Sequence, residues 1–253
     1  MTKKPESDGA SREFKLSKAP IVEAIVAIEF ADLSDEAFLR LPLVHERLAN
    51  KYARKEPLVE RQFQVEMPHG PIREATSTGL RLLSNDGHYA IQLRRNAYVF
   101  SRLAPYDSWR SFQGEAQSGW DAFRSIIGDL RLRDLGLRYI NKISYPTNEP
   151  IERYLRLYPV VPDSPEGGPQ VVTGAYMRVE VPLRDPGGRL VVQEVMLPPE
   201  NEELSSIALD NDFRFSIVGL DDGQMWSLLD HARDIKNTYF RHFITDDLLE
   251  SYR

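Results

Sequence analysis

Cysteine is absent from this 253-residue chain, which excludes disulfides, thiolate catalysis, cysteine-ligated zinc and iron–sulfur clusters. Histidine is scarce, and His45, His69, His88, His231 and His242 are scattered: even the two that share the last helical stretch stand too far apart to chelate one ion. They read as structural or solvated residues. No apolar run approaches the ~20 residues needed to span a bilayer. Excess positive charge is also missing, since the formal net charge is -6. That argues against non-specific binding to nucleic acid or to an anionic membrane. Gly79, Gly87, Gly136, Gly187 and Gly188 fall at turns or strand starts, so there is no phosphate-binding loop between a strand and a helix, and no Gly-x-Ser-x-Gly elbow occurs. None of these motifs therefore points to a catalytic residue, a histidine or cysteine metal site or a cofactor.

What is present is ordinary globular material. Hydrophobic residues make up 42% and charged residues 28%, enough apolar surface for a packed core in one large domain or two small ones. Residues 1–13 are polar and rich in Lys, Glu, Ser and Gly, which reads as a disordered leader without the apolar core of an export signal. A cytoplasmic protein with no membrane partner is the expectation.

Elements can be placed from periodicity. Residues 20–30 alternate, with Val22, Ala24, Val26, Ile28 and Phe30 on one face and Glu23 and Glu29 on the other. Ser34 followed by Asp35 and Glu36 starts a helix through Phe38, Leu41, Val44 and Leu48, with Pro42 as a break. Strands are expected at 59–67, 79–83, 88–94 and 97–103, the middle two joined by a Ser-Asn-Asp-Gly hairpin turn. A helix follows over about 106–127. The second half repeats the order: a strand at 135–143, a short helix at 149–157, a Pro/Gly loop at 162–169, strands at 171–183, 189–197 and 205–217, a long helix at 223–243 and a last turn through Leu249. The predicted fold is α+β, with two pseudo-repeated β-α-β-α halves (14–130 and 131–253) forming a curved antiparallel sheet with helices on one face and packed as one globular unit. That order resembles the saddle of TATA-box-binding-protein-like folds, a likeness of fold that carries no function.

Three segments resemble a sporadically distributed family of uncharacterised prokaryotic proteins. They are the Ala19-Pro20-Ile21-Val22-Glu23-Ala24 opening, the central Leu137-Arg138-Tyr139-Ile140-Asn141-Lys142-Ile143 strand, and a closing helix with Tyr239-Phe240 and Phe243-Ile244-Thr245. The resemblance implies a bacterial protein of about this size with no established activity. Its patchy distribution suits an accessory component of a mobile or phage-defence system.

Three constellations carry possible chemistry. Arg94, Arg138, Lys142, Arg178 and Arg214 are expected on the polar strand face among Gln92, Tyr176, Glu23 and Glu180. Arginines and aromatics on an open sheet can bind a nucleic-acid strand, but alternating acids favour cross-strand salt bridging. Asp210 and Asp212 share a strand face and, with Glu180 or Glu194, suggest a divalent-ion site; a ladder with Arg178 and Arg214 is the simpler reading. Trp226, Phe240 and Phe243 widen the apolar stripe of the last long helix, which suits an interface or core packing. The functional expectation is a non-enzymatic binding or assembly protein with a protein partner or self-association. The alternatives are a nucleic-acid-binding module and a divalent-metal-dependent enzyme.

Overall fold

Alternating side chains commit the first strand to a two-sided sheet. In the computed structural model, which describes residues 16–64, 72–160, 174–198, 201 and 203–253, β1 spans Ile21–Phe30 and buries Ala24, Val26, Ile28 and Phe30. Val22 does not join them: the register shifts between Ile21 and Glu23, and Val22 is left 37% exposed. The expected leader and the loop at 162–169 lie outside the described residues, as do the ends of the strands expected at 59–67 and 171–183.

Ser34 accepts a hydrogen bond from the Ala37 amide and starts α1, Asp35–Phe38. Pro42 then sits in the first turn of α2, Leu41–Leu48, so the proline divides one expected helix into two. Strands β2 (Arg54–Gln64), β3 (Ile72–Leu83), β4 (Tyr89–Arg94) and β5 (Ala97–Leu103) follow, then α3, Trp109–Ile127, capped by Ser108. After β6 (Leu132–Pro146), the helix expected at 149–157 is reduced to the 3-10 turn Ile151–Arg153. The backbone beyond it is used otherwise: the Arg156 amide donates to Phe243 O and the Thr245 amide to Tyr154 O. The chain closes with β7 (Tyr176–Leu183), β8 (Gly188–Leu197), β9 (Leu204–Ser216), α4 (Asp222–Phe243) and α5 (Asp246–Ser251). Among the described residues no helix is long and apolar enough to cross a membrane.

Among the described residues nine strands form one open antiparallel sheet in the order β2-β3-β4-β5-β1-β6-β9-β8-β7. Register sorts the side chains. Val26 lies between Phe100 and Leu137, and Leu137 beside Phe213, so the apolar residues share one face. The two long helices cover it: Phe112 of α3 stacks near Phe100 (ring centroids 5.6 Å apart), Trp120 near Phe30 (6.4 Å), and Tyr239 of α4 meets Phe213 edge-on (6.1 Å). At the far edge, six residue pairs from Val59–Ser77 to Gln64–Ile72 carry β2 and β3 beyond the last β3–β4 pairing at Gly79 and Arg94. This two-stranded arm is about 20 Å long by the rise per residue, and no third strand borders it among the described residues.

Packing of α3 onto the sheet depends on a missing side chain. The Tyr98 hydroxyl donates to Ala116 O, and a Cβ at Gly119 would lie 2.2 Å from that hydroxyl. We therefore expect Gly119→Ala to cost about 2 kcal/mol by overpacking. Adding Tyr98→Phe, which deletes the clashing oxygen, should make the pair non-additive by about 1 kcal/mol. Urea unfolding of the two single variants and the double variant measures this coupling.

Candidate functional site

The face opposite the helices carries the charged residues singled out in the sequence. Even-numbered β9 residues point to it, and there Asp210 and Asp212 stand on the same side as Arg138 of the paired strand β6. Arg138 makes a two-pronged hydrogen bond to Asp210, 2.8 Å from Nε to Oδ1 and 2.5 Å from Nη2 to Oδ2. These bonds raise the guanidinium pKa further. Arg214 donates to both Asp212 oxygens through Nε (2.9 and 3.0 Å) and reaches across β6 to Glu29 through Nη1 at 2.6 Å. The reach is possible because Gly136 lies between: a Cβ there would stand 3.3 Å from the guanidinium. Burial pushes the Asp212 carboxyl up, and Arg214 and Arg138 pull it back.

Arg94, Arg138 and Arg214 border one depression of about 420 Å³, with Glu23, Glu29 and Asp212 supplying the opposite charges. Its floor is made of small and branched residues, among them Ile25, Ala27 and Val99. Arg94 is held by Gln92, 2.6 Å from Nη2 to Oε1. The remaining candidates do not line this depression. Lys142 is half-buried, and its backbone amide bonds Pro20 O. Arg178 pairs with Glu180 at 3.0 Å on β7. Tyr176, 60% exposed, stands on the same edge strand and donates to Gln193 at 2.9 Å. By strand spacing, β7 lies about 14 Å from Arg138, so the aromatic and the central arginines do not form one stacking track.

The metal reading meets a specific obstacle. Asp210 and Asp212 are engaged by arginines, and Glu194 points to the other face, paired beside Leu209. No group of three potential ligands occurs among the described residues. The interface reading also changes: Trp226 and Phe240 are covered within the chain at 7% and 5% exposure, and only Phe243 is part-exposed, beside Tyr239. The central landmark is explained by the fold. Arg138 pairs with Asp210, Tyr139 is buried under the helices, and the buried Asn141 amide donates to Leu209 O at 3.2 Å.

Two ionisable residues lie on the helix-covered side: Glu194, expected on the polar face with Asp210 and Asp212, and Lys236, which no motif flagged. Glu194 is 2% exposed, and neither carboxyl oxygen has a hydrogen-bond partner among the described residues; burial pushes it up to about 7. The Lys236 amine sits 4.1 Å from the Tyr139 ring centroid, and burial, with Arg233 nearby, pushes it down to about 7. Each occupies a row of otherwise apolar residues: Leu190, Val192, Glu194 and Met196 on β8, and Met225, Leu229, Ala232, Lys236 and Phe240 on α4. A charge on an apolar row was the available signal. No family model matches the chain, and no curated protein matches it.

Proposed function

We propose that this chain is a non-enzymatic assembly protein whose open sheet face docks protein, and that the occupant is the β2–β3 arm of a second copy. The observation that carries this reading is the depression bordered by three arginines and three carboxylates, in which Arg214 is bonded to Asp212 and Glu29, and Arg138 is bonded to the adjoining Asp210. On this face acids balance arginines, which leaves little net positive charge for a polyanion, and Asp210, Asp212 and Glu29 are engaged by arginines rather than open to a metal ion. A charge-balanced surface with an apolar floor suits a polypeptide of mixed charge. The arm has that composition, with Glu60, Arg61, Arg73 and Glu74 along its two strands. A two-stranded ribbon is marginal alone and gains from a surface to lie on.

The halves 14–130 and 131–253 are, in this reading, two versions of one unit meeting where β1 pairs with β6. Support comes from the sheet order, which runs outward from β1 through β5, β4, β3 and β2, and from β6 through β9, β8 and β7. The resemblance in the opening and central segments adds an accessory role in a mobile or phage-defence system to the same proposal.

Sedimentation velocity tests the docking. The intact chain is expected to dimerise at micromolar concentration. Val99→Arg, which places a long cation on the floor of the depression and touches no core residue, is expected to weaken the dimer at least 10-fold with its melting temperature kept. A chain that stays monomeric at every concentration overturns the proposal. Single-stranded DNA bound by the intact chain, and bound tighter by Val99→Arg, supports the nucleic-acid reading instead.

A further inference from the structure

A small cavity lies on the helix-covered side, away from the charged sheet face. It is lined by the segment leading into β1 (Leu16, Ala19), the segment entering α3 (Tyr106, Trp109) and α4 (Arg233, Lys236, Asn237), and its volume is about 90 Å³. That is room for about three waters, or for a molecule of a few heavy atoms. The Lys236 amine lines this cavity and has no hydrogen-bonding or ion-pairing partner among the described residues; its contact is the Tyr139 ring. A buried amine without a carboxylate is costly to keep, and here it faces open space.

The groups around it are specific. On its own helix are Arg233, which lowers its basicity, and Asp234, which opposes that. Arg233 is 3.7 Å from Asp234. From β6 comes Tyr139, its hydroxyl 3.4 Å from that of Tyr106, and burial holds its proton well above the ordinary phenol range. Asp107 also borders the cavity, but its carboxylate is taken by the Ser108 amide and stands 3.9 Å from Arg102. The cavity thus brings together the Lys236 amine, the Arg233 guanidinium and the Tyr106 phenol, with Tyr139, whose proton is held, under the amine.

We infer that Lys236 is a nucleophilic amine that captures a small oxo acid as an imine, with the carboxylate of the ligand toward Arg233. In the step, the neutral amine attacks the carbonyl carbon, the C–N bond forms, and the carbonyl oxygen leaves as water. The two amine protons end in that water. At neutral pH about half of the amines are unprotonated, because burial has lowered this group to about 7. This inference is independent of the docking proposed for the opposite face.

The test uses the intact chain with glyoxylate and cyanoborohydride at pH 7, followed by peptide mass mapping. The expected result is carboxymethylation of Lys236 at least about 10-fold faster than of the exposed Lys55, with a rate that saturates with glyoxylate and falls on adding pyruvate. Glyoxylate is also expected to raise the melting temperature of the intact chain and not of Lys236→Met. Labelling that rises linearly without saturation would mean only an unprotonated amine, and overturns the inference. Equal stabilisation by acetate, which has the carboxylate and no reactive carbonyl, would mean a plain anion site and overturns it as well.

Discussion

Glu194→Gln flattens the fall in stability that the parent chain shows between pH 4.5 and pH 7, and makes the variant the more stable protein at pH 8. Glu194 lies on the apolar side of β8, opposite Leu209 on one neighbour and Met177 on the other, with both carboxyl oxygens unpartnered among the described residues. Its folded pKa, about 7, stands above the ordinary 4.5 because burial disfavours the carboxylate. The folded state therefore binds more protons than the unfolded state across that window, and stability declines as pH rises through it. Below pH 4.5 the carboxyl is neutral in both states and costs nothing extra. Above pH 7 the penalty is complete, on the order of 2–3 kcal/mol. Chemical unfolding of both proteins at pH 4.5, 6 and 8 measures it. Parallel curves at all three values would show that Glu194 has found a partner.

Lys236→Met is expected to stabilise the chain by about 3 kcal/mol at pH 7 and below, with the difference shrinking as pH rises toward 10.5. Here the folded pKa, about 7, lies below the ordinary 10.5. The unfolded state binds the extra proton between these values, so the stability of the parent chain climbs with pH over that range. Below pH 7 the penalty for burying the amine is constant. Methionine keeps most of the side-chain length and the contact with Tyr139 while removing the charge. Calorimetry at pH 6, 7.5 and 9.5 distinguishes the outcomes. A gain that does not vary with pH would assign the effect to packing and not to the amine. A lysine held at such a cost is what a site under functional constraint looks like.

The two charges that dominate these predictions were readable as breaks in pattern. Glu194 interrupts the row Leu190, Val192, Met196, and Lys236 interrupts Met225, Leu229, Ala232, Phe240. Periodicity located the elements well where side chains alternate cleanly, as in β1 and β5, and where a cap is explicit, as at Ser34 and Ser108. It failed where long-range pairing decides. The helix expected at 149–157 lost its backbone groups to the end of α4, and Leu155 bridges Ile244. The exposure of Val22 follows from a register shift that no local pattern encodes. Likewise the charged face was legible as a list of arginines and acids, but not who holds whom. Arg138 selects Asp210 diagonally over its register partner Asp212, and Arg214 crosses Gly136 to reach Glu29. Those choices turn a basic-looking set into a balanced surface.

The central claim, that the arm of one copy occupies the open sheet face of another, is tested most directly by mixing two defective chains. One is Val99→Arg, with a blocked face and an intact arm. The other has residues 61–75 replaced by an Asn-Gly turn, joining the opposed Glu60 and Thr76, so that its face is intact and its arm is gone. Sedimentation velocity is run on each variant alone and on an equimolar mixture. The account predicts two monomers that together form a heterodimer, because one arm and one face remain to meet. Either variant dimerising alone as tightly as the parent chain, or a mixture that stays monomeric while the parent dimerises, would contradict it.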